Sequence, residues 1–228
     1  CKGLFRMATG SGKTVTAMYG ITKIFEKSMS PRKMLVIIAV PYKALADQWV
    51  EELRLFNMKP IQCYRQQSDW VDVLNNRLNL LISGAVEFLS IVVVNNTLKS
   101  DVFQQAISRI SGENIFFVGD ECHRHATDLT ISILPECSYR IGLSATPFVD
   151  TQGATLDAID VQDQKTEKEL LTSYYGNVVA DYSLIEALAD GVLTPYKYYI
   201  VPVYLTEMER ESYKELSKQI AQFFQMDS

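Results

Sequence analysis

Leu4-Phe5-Arg6-Met7, running into Ala8-Thr9-Gly10-Ser11-Gly12-Lys13-Thr14, is the stretch that decides the fold. The first four residues read as a short strand. From Thr14 onward, Met18, Ile21 and Phe25 recur at helical spacing. A glycine-rich turn between a strand and a helix aims successive backbone N–H groups into one space, and the positive end of the helix adds to them, which makes an anion cradle. Thr9, Gly10, Ser11, Gly12, Lys13 and Thr14 form that cradle. Gly10 and Gly12 allow close backbone approach, Lys13 is placed to reach the β- and γ-phosphates of ATP, and the Thr14 hydroxyl offers an oxygen to Mg²⁺. One position departs from the usual pattern, which has Gly or Ala where this chain has Met7.

Outward from the cradle, apolar runs alternate with helical periodicity. Met34 to Val40 is apolar at every position, as a central parallel strand should be, and Pro41 ends it. Leu45, Trp49, Leu53 and Phe56 mark a helix. Pro60 to Tyr64, Ile91 to Val94, Ile115 to Val118, Tyr139 to Leu143 and Asn177 to Ala180 read as strands. Asp69 to Leu81, Glu167 to Tyr174, Ser183 to Ala189 and Glu207 to Phe224 read as helices. This alternation predicts an α/β fold with a parallel sheet flanked by helices on both faces. Tyr196 to Leu205 also reads as strand-like. Asp150 to Lys165, with Asp150, Asp157, Asp160 and Asp163 and little apolar content, reads as a solvated, mobile loop. Trp49 and Trp70 fall on apolar faces and are read as core residues, not as platforms for stacking bases.

Two further clusters fall just after predicted strands, where the ligands of such sheets sit. Asp120-Glu121 follows the apolar run Ile115 to Val118. Asp120 is suited to hold Mg²⁺, and Glu121 to orient and polarise a water for attack on the γ-phosphate. His123 is placed to link that site to Ser144 and Thr146, which follow the next strand. Cys122, His123 and His125 match no common zinc spacing, and a metal site there is set aside.

Composition bounds the rest. With 47% hydrophobic and 21% charged residues, the chain is ordinary globular material. No apolar run approaches the roughly 20 residues of a membrane helix, so no membrane partner is expected. The cysteines Cys1, Cys63, Cys122 and Cys137 form no CxxC pair, which points to a reducing, cytoplasmic setting. The net charge of −5 runs against a strongly basic nucleic-acid binder. A few Lys and Thr groups and backbone amides along one edge suffice to hold a phosphate backbone. The chain does not open on Met and is read as part of a longer protein.

Thr9-Gly-Ser-Gly-Lys-Thr14, Asp120-Glu-Cys-His123 and Ser144-Ala-Thr146-Pro147 together resemble the first RecA-like lobe of superfamily 2 DEAD/DEAH-type helicases and translocases. Val40-Pro41-Tyr42-Lys43-Ala44-Leu45-Ala46-Asp47-Gln48-Trp49 resembles that superfamily's first backbone-contacting motif, and Val93-Val94-Asn95-Asn96-Thr97-Leu98 the segment before its second. Tyr182 to Leu188, with Gly191, Leu193, Thr194 and Pro195, is similar to restriction-enzyme-type helicase subunits and related repair helicases. Cys122 stands where Ala is more familiar.

The resemblance implies a RecA-like P-loop lobe over residues 1–205, with a helix over 206–228 leading toward a second RecA-like lobe of the same protein. It implies ATP with Mg²⁺, and a nucleic-acid partner, DNA ahead of RNA. In this lobe Pro41, Lys43 and Thr97 would contact the backbone, and Ser144 and Thr146 would couple ATP to that grip. The plainer alternatives are that Pro41 only ends a strand and that Thr97 caps a helix. A nuclease or methyltransferase partner is left open.

Overall fold

The computed structural model describes residues 1–27, 33–148, 166–197 and 199–226. Seven strands, numbered in chain order, are β1 (Lys2–Met7), β2 (Met34–Val40), β3 (Ile61–Cys63), β4 (Phe88–Val94), β5 (Ile115–Asp120), β6 (Tyr139–Ser144) and β7 (Val178–Tyr182). They form one sheet in the order β3-β4-β2-β5-β6-β1-β7, and each pairing is parallel. The helices are α1 (Lys13–Lys27), α2 (Lys43–Leu55), α3 (Gln67–Ser83), α4 (Asn95–Leu98), α5 (Asp101–Ile107), α6 (Asp128–Ile133), α7 (Glu167–Tyr175), α8 (Leu184–Ala189) and α9 (Glu207–Met226).

Alternation along β2 explains the layering. Leu35, Ile37 and Ala39 point to one face and join Trp70, Leu74 and Leu78 of α3, Phe103 of α5 and Leu171 and Tyr175 of α7. Val36, Ile38 and Val40 point to the other face and join Met18 and Ile21 of α1 and Trp49, Val50 and Leu53 of α2. All seven residues of β2 are buried, which is why its sequence shows no polar alternation. Each such fully buried aliphatic side chain contributes about 1.5–3 kcal/mol. Trp70 is a core residue, edge-on to Phe103 at 6.3 Å between ring centroids. Pro41 follows the last residue of β2.

Helix starts follow local chemistry. Thr166 and Glu169 close a capping box on α7, and Ser183 and Glu186 close one on α8. Ser100, not Thr97, caps α5, its hydroxyl accepting from Phe103 N. Thr97 lies inside the single turn of α4.

The strand order sets out the carboxyl edge of the sheet. Across it come, in turn, the segment after β4 (Asn95 to Thr97), the segment after β2 (Pro41 to Lys43), Asp120 and Glu121 at the end of β5, Ser144 at the end of β6, and the glycine turn after β1. Three chain segments distant in sequence thus become neighbours on β5, β6 and β1.

Cys1–Thr194 form one compact unit and Pro195–Ser228 a second. The expected strand over Tyr196 to Leu205 is not present: the described residues there are irregular, with Tyr199, Ile200, Val201, Val203 and Tyr204 exposed. Strand propensity expresses a fit to a half-buried pleated surface, and these side chains meet none. The acidic loop expected over 150–165 lies outside the described residues. No helix among the described residues is long and apolar enough to cross a membrane. All four cysteines are free.

Candidate active site

The glycine turn is built by backbone conformation. Gly10 and Gly12 sit at φ +79° and +91°, the left-handed region that a Cβ disfavours. The turn is pinned at its start, where Ala8 N donates to the Tyr182 carbonyl at 2.9 Å, and closed within, where Ser11 N and Ser11 Oγ both donate to the Ala8 carbonyl. Lys13 opens α1, and its Nζ donates back across the turn to the Met7 carbonyl at 3.1 Å. Thr9, Gly10 and Gly12 are exposed, while Ser11, Lys13 and Thr14 are half-buried. The residues sequence reading assigned to the cradle are therefore together, open to solvent at the N-terminus of a 15-residue helix.

The acidic pair is built by side chains. Asp120 is buried at the end of β5. Its Oδ2 accepts from Trp49 Nε1 at 2.7 Å and its Oδ1 from Glu121 N at 2.9 Å. Burial pushes its carboxyl up from the ordinary value, and the two N–H donors oppose that shift. Glu121 adopts φ +48°, ψ +48°, a left-handed conformation costing a residue with a Cβ about 1–2 kcal/mol. It opens a 3-10 turn, Cys122–His125, in which Arg124 N donates to the Glu121 carbonyl. Strain of this kind persists where surrounding bonds over-determine it, and it clusters at functional sites.

His123 is the joint between these groups. Its Nδ1 lies 3.0 Å from Ser144 Oγ and 3.4 Å from Glu121 Oε2. Ser144 is buried, and its Oγ accepts from Thr146 N at 3.2 Å. Glu121, His123, Ser144 and Thr146 thus form one polar chain from the acidic turn to the segment after β6. Lys43 and Thr97 lie on the other side of β5 in strand order, Lys43 exposed and Thr97 half-buried.

Two contributors were not foreseen. Trp49 was read as core, and it is, but its N–H also holds the Asp120 carboxylate. The signal was a Trp on the buried face of the helix that begins at Lys43, yet the partner is 71 residues away and emerges only when β2 pairs with β5. The sequence offers His125 only as a candidate metal ligand. It is fully buried, with Nδ1 2.7 Å from Tyr175 Oη and Nε2 3.1 Å from Asn95 Oδ1.

Against this geometry, residues 1–149 match the family model described as Type III restriction enzyme, res subunit. The chain belongs to that family. Its seven-stranded, all-parallel sheet flanked by helices is the RecA-like fold that the resemblance to first lobes of superfamily 2 helicases implied. A curated relative is the Type I restriction enzyme EcoAI endonuclease subunit of Escherichia coli, 27% identical over 203 residues, covering 85% of this chain and 21% of that protein. The chain thus spans about a fifth of that relative's length. Two solved structures share the fold. One is a nuclease-deletion mutant of the Type ISP restriction-modification enzyme LlaGI in complex with a DNA substrate mimic (TM-score 0.60, 15% identity, 84% of this chain and 19% of that one). The other is the Hef helicase domain of Pyrococcus furiosus (TM-score 0.54, 22% identity, 79% and 34%).

Proposed function

We propose that this chain is the ATP-binding first lobe of an ATP-dependent DNA helicase or translocase. The observation that carries the reading is the meeting of the glycine turn, the acidic pair and the Ser144 segment on three adjacent strands, β1, β6 and β5.

In this reading the amides of Thr9 to Thr14 cradle the phosphates, and Lys13 leaves the Met7 carbonyl for the β- and γ-phosphates. Thr14 and Asp120 fit a hard divalent cation, since both offer oxygen and the Asp120 carboxylate is held at both oxygens by N–H donors. Magnesium held there would neutralise phosphate charge. Glu121 orients the attacking water and accepts its proton as the bond between the γ-phosphorus and the bridging oxygen breaks and ADP departs. His123 reports that change to Ser144 and Thr146. Pro41, Lys43 and Thr97 grip the nucleic-acid backbone without reading its sequence. The second lobe, reached through the unit that begins at Pro195, supplies arginines worth on the order of 10³-fold in rate. A DNA partner is supported by the restriction-enzyme family and by the DNA substrate mimic bound to LlaGI.

The test is ATP hydrolysis by the full-length protein carrying these residues, without polymer, with single- and double-stranded DNA, and with RNA. Stimulation by DNA that vanishes in Lys13→Ala is expected. Stimulation by RNA alone moves the protein to RNA. Hydrolysis indifferent to both polymers sinks the motor reading and leaves a nucleotide switch, while DNA-stimulated hydrolysis without strand displacement leaves a nucleotide-gated clamp.

A further inference from the structure

His125 and its partners are used by none of the chemistry above. The ring is fully buried and ends the 3-10 turn that Glu121 opens. With Asn95 oriented as it is, Oδ1 can only accept, so Nε2 carries the hydrogen and Nδ1 accepts from the Tyr175 hydroxyl. Both ring nitrogens are satisfied.

Room for this arrangement has been made in the strand that bears Asp120. A Cβ at Gly119 would fall inside the contact distance of Tyr175 Oη and within 3.0 Å of His125 Cε1. A glycine in a central strand weakens it, and its presence marks a close approach. Apolar side chains filling the same volume would be as stable as a buried polar string, so stability alone does not account for it.

The two histidines of the turn reach opposite ways. His123 meets Ser144 at the end of β6. His125 meets Asn95 after β4, and β4 does not neighbour β5, because β2 lies between them. The bond therefore spans the end of β2. Asn95 is the first residue of α4, and Thr97 sits in the same turn, where Lys99 N donates to the Asn95 carbonyl and Ser100 N to the Thr97 carbonyl. Holding Asn95 holds the whole turn.

We infer that His125 is a positioning residue that ties the acidic turn to α4, so that occupancy of the nucleotide site is felt at Asn95 to Ser100 by a route separate from His123 and Ser144. The inference rests on the nucleotide-binding reading above. A displacement of the Glu121 turn is passed through the ring of His125 to Asn95, and thereby to the backbone around Thr97.

The test is amide hydrogen exchange at Lys99 and Ser100 in the full-length protein, with and without magnesium and a non-hydrolysable ATP analogue, alongside the analogue's Kd. In the wild type the analogue should change exchange there about fivefold or more, the lower end of coupling between sites. Asn95→Ala should bind the analogue within about twofold of wild type and lose that response. Asn95→Asp, which keeps the acceptor for Nε2–H, should retain it. A merely structural bond would alter exchange equally with and without the analogue. An unchanged response in Asn95→Ala overturns the inference, as does a wild type that binds the analogue without any change at Lys99 and Ser100. A wild type that does not bind the analogue removes the nucleotide reading and this inference with it.

Discussion

The turn after β1 and the turn after β5 lie one strand apart on the same edge, and they are made in opposite ways. The first is open, shaped by two glycines at positive φ, and presents backbone amides. The second is anchored by the buried Cys122 and His125, contains a glutamate at positive φ, and is held by Trp49, His123, Tyr175 and Asn95. A group that grips through amides needs access and conformational freedom. A group that aims a carboxylate needs a fixed frame, and a frame of polar side chains in a core is tolerable only when every member is bonded.

Gly119→Ala should break this contrast most severely. Its Cβ has no space beside Tyr175, and overpacking so close to the sheet should cost about 3 kcal/mol. Thermal unfolding should show a Tm lowered by roughly 6–12 °C; a shift of a degree or two would mean the acidic turn is looser than described.

Acid is the next lever. Burial, then the charges of Lys99 and His123, lower the pKa of His125 from 6.5 to about 4. Below pH 6.5 the unfolded chain takes up a proton that the folded ring refuses, so this contribution to stability is complete above 6.5 and is lost as pH falls toward 4. The loss is on the order of 3 kcal/mol. Urea unfolding at pH 7 and 4.5 should show a steeper decline for wild type than for His125→Gln, and parallel declines would contradict it.

Trp49→Phe keeps the ring in the core and removes the N–H from Asp120 Oδ2. Loss of a hydrogen bond to a buried carboxylate should cost about 2 kcal/mol in chemical denaturation, and should weaken magnesium-dependent nucleotide binding. No change in either would reduce Trp49 to packing.

Gly12→Ala should be mildest. Nothing lies within 4 Å of the added Cβ, so the cost is conformational alone, about 1 kcal/mol. A loss as large as that of Gly119→Ala would show the open turn to be as constrained as the buried one.

What could be read in advance divides along the same line. The glycine turn between β1 and α1 was legible because it lies within a few consecutive residues, and Met34–Val40 because burial on both faces leaves an unbroken apolar run. Trp49 on Asp120, and His125 between Tyr175 and Asn95, were not. Their partners are 71, 50 and 30 residues away, and proximity depends on a strand order no local pattern encodes. Tyr196 to Leu205 was misread because β-rich composition says nothing about whether a sheet edge is at hand.

The position of β1 has a consequence for the order in which the molecule is made. β1 precedes the other six strands in sequence, yet its two neighbours in the sheet are β6 and β7, and Arg6 pairs with Asp181 across a separation of 175 residues. The central strands β2, β4 and β5 can associate while β1 still has no partner. Closing so long a loop is slow and entropically costly. On the ribosome, β1 would therefore stay unpaired until β6 has emerged and the glycine turn unanchored until Tyr182 has, and in pulse-labelled exchange the amides of β1 should be the last to gain protection. A chain interrupted before Tyr182 would carry a largely assembled sheet and a glycine turn without its anchor on the Tyr182 carbonyl.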